Sequence, residues 1–149
     1  MNNNLFQLDF PDGWKETTVY TFEGPFDSGV QHNLAVVVDP FILKDMTVEE
    51  YAHRQIEGPR SVMPGFELIS EKEKKLPDGT PLYEIVYRYV PAENVELFQK
   101  QMFVKRDGKA YVFTATFTKK TLATVGSEVD TIIASFKMLK PAANDFDGD

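Results

Sequence analysis

The side chains able to do covalent or acid–base chemistry are few and scattered. The chain of 149 residues has two histidines, His32 and His53, and no cysteine. Disulfides, thiolate metal sites and a cysteine nucleophile are therefore excluded. His32 opens an apolar run and His53 falls on the polar side of a helical pattern, so a solvent-facing or capping place is expected for each. No residues with metal-ligand spacing accompany either one. Neither Gly-x-Ser-x-Gly, nor a phosphate-binding loop, nor Gly-x-Gly-x-x-Gly occurs. A Ser-His-Asp constellation converges only in three dimensions, and the sequence leaves that open. The expectation is a protein without catalysis, cofactor or metal.

More distinctive are amides standing on apolar lines. Gln55 interrupts the stripe Val48, Tyr51, Ala52, Ile56 and Pro59. Asn33 begins the most apolar strand, and Gln101 shares a strand face with Phe103, opposite Met102 and Val104. An amide offers both donors and an acceptor. Taken singly, each also suits a sheet end or a solvent-facing site. The twelve Phe and six Tyr, mostly on alternating positions, read first as core.

The element that would carry Gln55 is the stretch 45–66. Thr47 and Glu50 form a capping box, and Met46 and Tyr51 sit at staple positions that would fix the entry angle of the chain. Pro64-Gly65 ends it. Strands are predicted over 5–10, 16–23, 31–39, 66–76, 82–90, 95–105 and 110–118. The third, almost wholly apolar, suits a central strand buried on both faces, and the charged fourth suits an edge. Residues 24–29 read as a loop, and Trp14, just after Pro11-Asp12-Gly13, as a core plug. Asp107-Gly108 is the strongest hairpin signal. A last helical pattern covers 122–136, and Ser127 with Asp130 places its start near Ser127.

The expected fold is α+β: a mainly antiparallel twisted sheet of six to seven strands covered by two helices. Residues 1–141 form the single expected domain, and the acidic segment 142–149 an expected disordered tail. The net charge of −7 argues against a nucleic-acid partner. Lys72, Lys74 and Lys75, interrupted by Glu73, read as a solvated strand face. With no signal-peptide pattern and no apolar run of membrane-spanning length, the expected location is cytoplasmic, without direct membrane anchoring.

Four short segments then carry a resemblance: Phe10-Pro11-Asp12-Gly13-Trp14, Tyr51-Ala52-His53-Arg54-Gln55, Met63-Pro64-Gly65-Phe66 and Gln101-Met102-Phe103. In this order and spacing they resemble the Eag chaperones of bacterial type VI secretion, a branch of the DcrB-related family. The resemblance implies a Mog/PsbP-like fold and a cytoplasmic homodimer that holds the N-terminal transmembrane helices of effectors carrying PAAR and often Rhs regions. It implies Val19, Thr21, Asn33, Val37, Gln55, Met63 and Gln101 as the residues that line the client-helix surface. By parity Val19, Thr21, Asn33, Val37 and Gln101 can share one sheet face. The same face would also suit a small apolar ligand, or an interaction scaffold of the same fold.

Overall fold

The structure, a computed structural model, describes residues 6–14, 18–40 and 42–139. Its strands are β1 (Val19–Asp27), β2 (Val30–Asp39), β3 (Glu67–Lys75), β4 (Pro81–Ala92), β5 (Val95–Arg106) and β6 (Lys109–Phe117). The helices are α1 (Val48–Gln55), α2 (Glu57–Val62) and α3 (Thr121–Ala134). The strands make one antiparallel six-stranded sheet in the order β1-β2-β6-β5-β4-β3. Its fold is α+β.

Each face of the sheet has its own apolar cluster because successive side chains alternate across a strand. On one face Leu34, Met102, Phe113 and Phe117 pack under Val125, Val129 and Ile133 of α3. On the other, Ile85, Tyr87, Phe103 and Val112 lie with Val48, Tyr51, Ala52 and Ile56 of the α1 segment. The hairpin at Asp107-Gly108 forms as predicted, with positive φ at both residues (53° and 74°). The predicted capping box is also present: Glu50 N–H donates to Thr47 Oγ1 at 3.1 Å, and Thr47 N–H donates to Glu50 Oε1 at 2.9 Å.

Several expectations are corrected. The loop expected over 24–29 is mostly strand, since β1 continues past a register shift between Glu23 and Phe26 and turns only at Ser28-Gly29. A bulge absorbs Gly24-Pro25, the usual way a strand accommodates such residues. Where a first strand was expected, residues 6–10 show a single bridge at Gln7. β2 is second from the edge, and its apolar run is only half-buried on much of its length. Trp14 is 65% exposed, stacked on Phe10 at 5.3 Å, and plugs nothing.

α3 starts at Thr121, a turn and a half before Ser127. Thr118 and Thr121 cap its entry reciprocally: Thr121 N–H donates to Thr118 Oγ1 at 3.1 Å and Thr118 N–H to Thr121 Oγ1 at 2.9 Å. Ser127 sits mid-helix, its carbonyl accepting from Thr131. His32, expected near solvent, is 2% exposed. Its Nδ1 donates to the Pro25 carbonyl and its Nε2 pairs with Thr121 Oγ1 at 2.8 Å, so it joins the β1 bulge to the head of α3. The segment 142–149 lies outside the described residues.

Candidate functional site

α1 packs on β4 and β5, and among the described residues no helix covers the rest of its sheet face. Three anchors hold it there. Lys105 Nζ on β5 donates to the carbonyls of Lys44 (2.6 Å) and Met46 (3.0 Å), which seats the approach to the helix. On one flank Tyr51 donates to Asp39 Oδ2 of β2 at 2.7 Å. Burial, with the Asp39 carboxylate beside it, keeps that phenol well above its ordinary pKa, so it stays a donor.

On the other flank His53 Nε2 meets Glu71 Oε1 at 2.6 Å, and Tyr83 donates to the same oxygen at 2.5 Å. His53 is thus an anchor between helix and sheet, not a free surface group. The hydrogen bonds from Tyr83 and then His53 hold the Glu71 carboxyl below its ordinary pKa.

Among the described residues, the part of this face with no helix over it belongs to β1, β2 and the Thr114–Thr116 end of β6, and it meets the closed cluster at Val112. Register assembles it row by row: Val19 pairs with Val37, and Val37 with Val112; Thr21 pairs with Ala35, and Ala35 with Thr114. Thr114 pairs with Gln101 and Gln101 with Ile85, which carries the second row onto β4. Asn33 follows two residues before Ala35, paired with Glu23. Val19, Thr21, Asn33, Val37 and Gln101 therefore do share one face. Val19 is 52% exposed, Thr21 and Asn33 are exposed, and Val37 and Gln101 are half-buried.

Gln55 and Met63 stand apart from that group. Gln55, at the last turn of α1, is exposed. It lies about 40° round the helix from Tyr51. Met63 ends α2 and packs half-buried against the cluster beneath α1. The sequence missed Ala35, Thr114, Thr116 and Gln99 on the same face. The threonines alternating with aromatics along β6 were the available signal, but only the strand register says which residues they face.

Two glutamines on β5 show what is unusual here. Gln99 Nε2 donates to Thr116 Oγ1 at 3.3 Å, and Tyr87 of β4 donates to Gln99 Oε1, so both ends of that amide are paired. One step along, Gln101 Nε2 donates to Thr114 Oγ1 at 3.2 Å. Its neighbour on β4 is Ile85, which has nothing to donate, and Gln101 Oε1 is shut from water without a hydrogen-bond partner. If the amide is turned over, Thr114 still engages only one of its two polar atoms. A polar atom buried in this state costs about 1–3 kcal/mol. The arrangement is a ledge of small and apolar side chains with one unfilled hydrogen-bonding position. Among the described residues no group of His, Asp or Glu side chains is placed to hold a metal ion. Among the same residues no helix is long and apolar enough to cross a membrane.

The sheet and its two clusters match known structures. PA94 of Pseudomonas aeruginosa, a protein of unknown function described as a candidate regulator, superposes with a TM-score of 0.70 at 20% identity, over 95% of this chain and 96% of that one. The PsbP protein of Synechocystis sp. PCC 6803 superposes with a TM-score of 0.56 at 22% identity, over 87% of this chain and 84% of that one. At such identities the likeness is one of fold. No curated protein matches the chain. The DcrB family profile matches residues 6–135, and the chain belongs to that family.

Proposed function

We propose that this chain is an Eag-type chaperone of type VI secretion. It holds an N-terminal transmembrane helix of an effector against the open half of the α1 face until the effector is loaded, acting in the cytoplasm as a homodimer without catalysis. The observation that carries the reading is Gln101: a half-buried amide whose Oε1 is shut from water without a hydrogen-bond partner, on the same sheet face as exposed Val19 and Thr21 and half-buried Val37.

A transmembrane helix kept in water must have its apolar surface covered, and burial against Val19, Val37 and Met63 would contribute about 25 cal/mol per Å². Membrane helices that pack closely also present small residues and hydroxyls able to hydrogen-bond across the contact. Oε1 is closed to solvent in the free chain, so a client hydroxyl or backbone group over Ala35 and Thr114 would engage Gln101 by a turn of its side chain toward the surface. Asn33 and Gln55 supply further amides at the borders. The sheet thereby takes the place of a neighbouring membrane helix.

The test is co-expression with the N-terminal segment of an effector encoded beside the chaperone. A soluble, co-purifying complex is expected. Gln55→Ala combined with Gln101→Ala should weaken it by roughly tenfold or more. Undiminished binding by that double variant would remove the assigned site.

A further inference from the structure

The amides and hydroxyls at the β5–β6 border of the open face are arranged as two couples. Gln101 stands opposite Thr114, and Gln99 stands opposite Thr116 two residues further along the strands. In each couple the amide Nε2 donates to the threonine Oγ1, at 3.2 Å and 3.3 Å. Each threonine oxygen is thereby used as an acceptor, while its own proton has no acceptor among the described residues. All four side chains are half-buried, and Ala35, which pairs with Thr114, is small. A helix can therefore come close at this place.

The couples are unequally held. Tyr87 of β4, wholly buried, donates to Gln99 Oε1. Burial keeps that phenol well above its ordinary pKa, so it remains a donor. Gln101 has Ile85 in the equivalent place and no such tether. One couple is fixed, and the other is able to turn.

Spacing decides what can meet both. Two residues of an antiparallel strand advance about 6.8 Å. Four residues of an α-helix advance about 6.0 Å and stay within about 40° of one another round its axis. The match holds for a helix lying along β6, whereas one crossing the strands would meet a single couple. A bulky side chain at either meeting point would hold the helix off. A serine there is small, and its hydroxyl can accept the free threonine proton.

We propose that the two glutamine–threonine couples select the client and fix the line along which it lies, by reading small hydroxyl residues at positions i and i+4 of its membrane helix. This rests on the client reading above and adds to it Gln99, Thr116 and, as a positioning residue, Tyr87. A translation mixture free of membranes, supplemented with the full chain, tests it. The probes are leucine helices of about twenty residues fused ahead of a fluorescent protein. One carries two serines four apart, one carries two serines two apart, and one carries none. Serines two apart point to opposite sides of the helix at unchanged composition.

The first helix should stay in solution at roughly tenfold lower concentration of the chain than the second. Thr114→Val with Thr116→Val keeps the shape of both side chains and should erase that preference. Tyr87→Phe should reduce it severalfold while capture of the all-leucine helix is unchanged; a merely structural loss would weaken all three alike. Equal capture of the two serine helices overturns the proposal, as does a preference that outlives the double valine variant or one that Tyr87→Phe leaves untouched. In those cases the client reading still stands. Capture of none of the three helices would remove the client reading itself, and this inference with it.

Discussion

The two halves of the α1 face use one sheet and one parity for opposite ends. Under α1, Tyr83, Ile85, Tyr87 and Phe103 are closed in by helix and sheet together. Across β1, β2 and the Thr114–Thr116 end of β6 the same alternation presents valine, threonine, alanine and amides with no helix of the described residues over them. The change of composition falls on β5, where Phe103 is fully buried and Gln101, two residues earlier, is half-exposed. Core and candidate binding surface are thus consecutive positions of one strand face, and the edge of α1 separates them.

That contrast can be broken by substitution, beginning with the largest effect. Phe103→Ala should cost about 3–5 kcal/mol in denaturant unfolding, as expected for an aromatic removed from a closed core. Val37→Ala in the open half should cost about 1 kcal/mol or less, and similar losses at the two sites would erase the distinction between the halves. Thr47→Ala should cost about 1 kcal/mol by unpairing the first turn of α1, and should also blunt client capture if the helix edge sets the border of the site.

Gln101→Met sharpens the contrast further. It should leave stability unchanged or raise it by up to about 1 kcal/mol, because the unpaired atom goes with the amide, yet it should weaken client binding. A loss of stability without loss of binding would make Gln101 a core residue. The smallest effect concerns acid. The Glu71 carboxyl is held low by Tyr83 and His53, so its contribution is complete above its unfolded value of about 4.3 and is lost as pH falls through the lower folded one. Glu71→Gln should flatten the acid limb of stability in that window, and an unaltered limb would show that this anchor of α1 contributes nothing.

Local signals were legible where the chemistry was local. Asp107-Gly108 and the Thr47–Glu50 pair are each complete within a few residues, and both formed as written. The candidate face was half legible: parity placed Val19, Thr21, Asn33, Val37 and Gln101 together, but their neighbours Thr114 and Ala35 required the register. What escaped was decided at long range. His32 is buried because Pro25 and Thr121 meet its two nitrogens from different elements. Trp14 stacks on Phe10, itself exposed, and not on the sheet. The near-continuous apolar run of β2 suggested double burial. It serves both faces by halves instead, with Val37 on the α1 side and Leu34 and Val36 on the α3 side.

A sheet that is apolar on both faces has a difficulty of orientation, since either helix finds oily ground on either side. Glu84 of β4 resolves it. This carboxylate, 3% exposed, lies on the α3 side with Lys74 at 2.7 Å and Lys100 at 3.9 Å, and Lys100 in turn reaches Asp130 of α3 at 3.1 Å. Through Lys100 and Asp130 this buried carboxylate is tied to α3, which marks the face of the sheet that α3 covers. Such buried ion pairs commonly add little net stability but penalise wrong arrangements. Glu84→Met with Lys100→Met should therefore unfold no more easily than the parent, while a weakened near-ultraviolet dichroism reports that the two faces have become interchangeable.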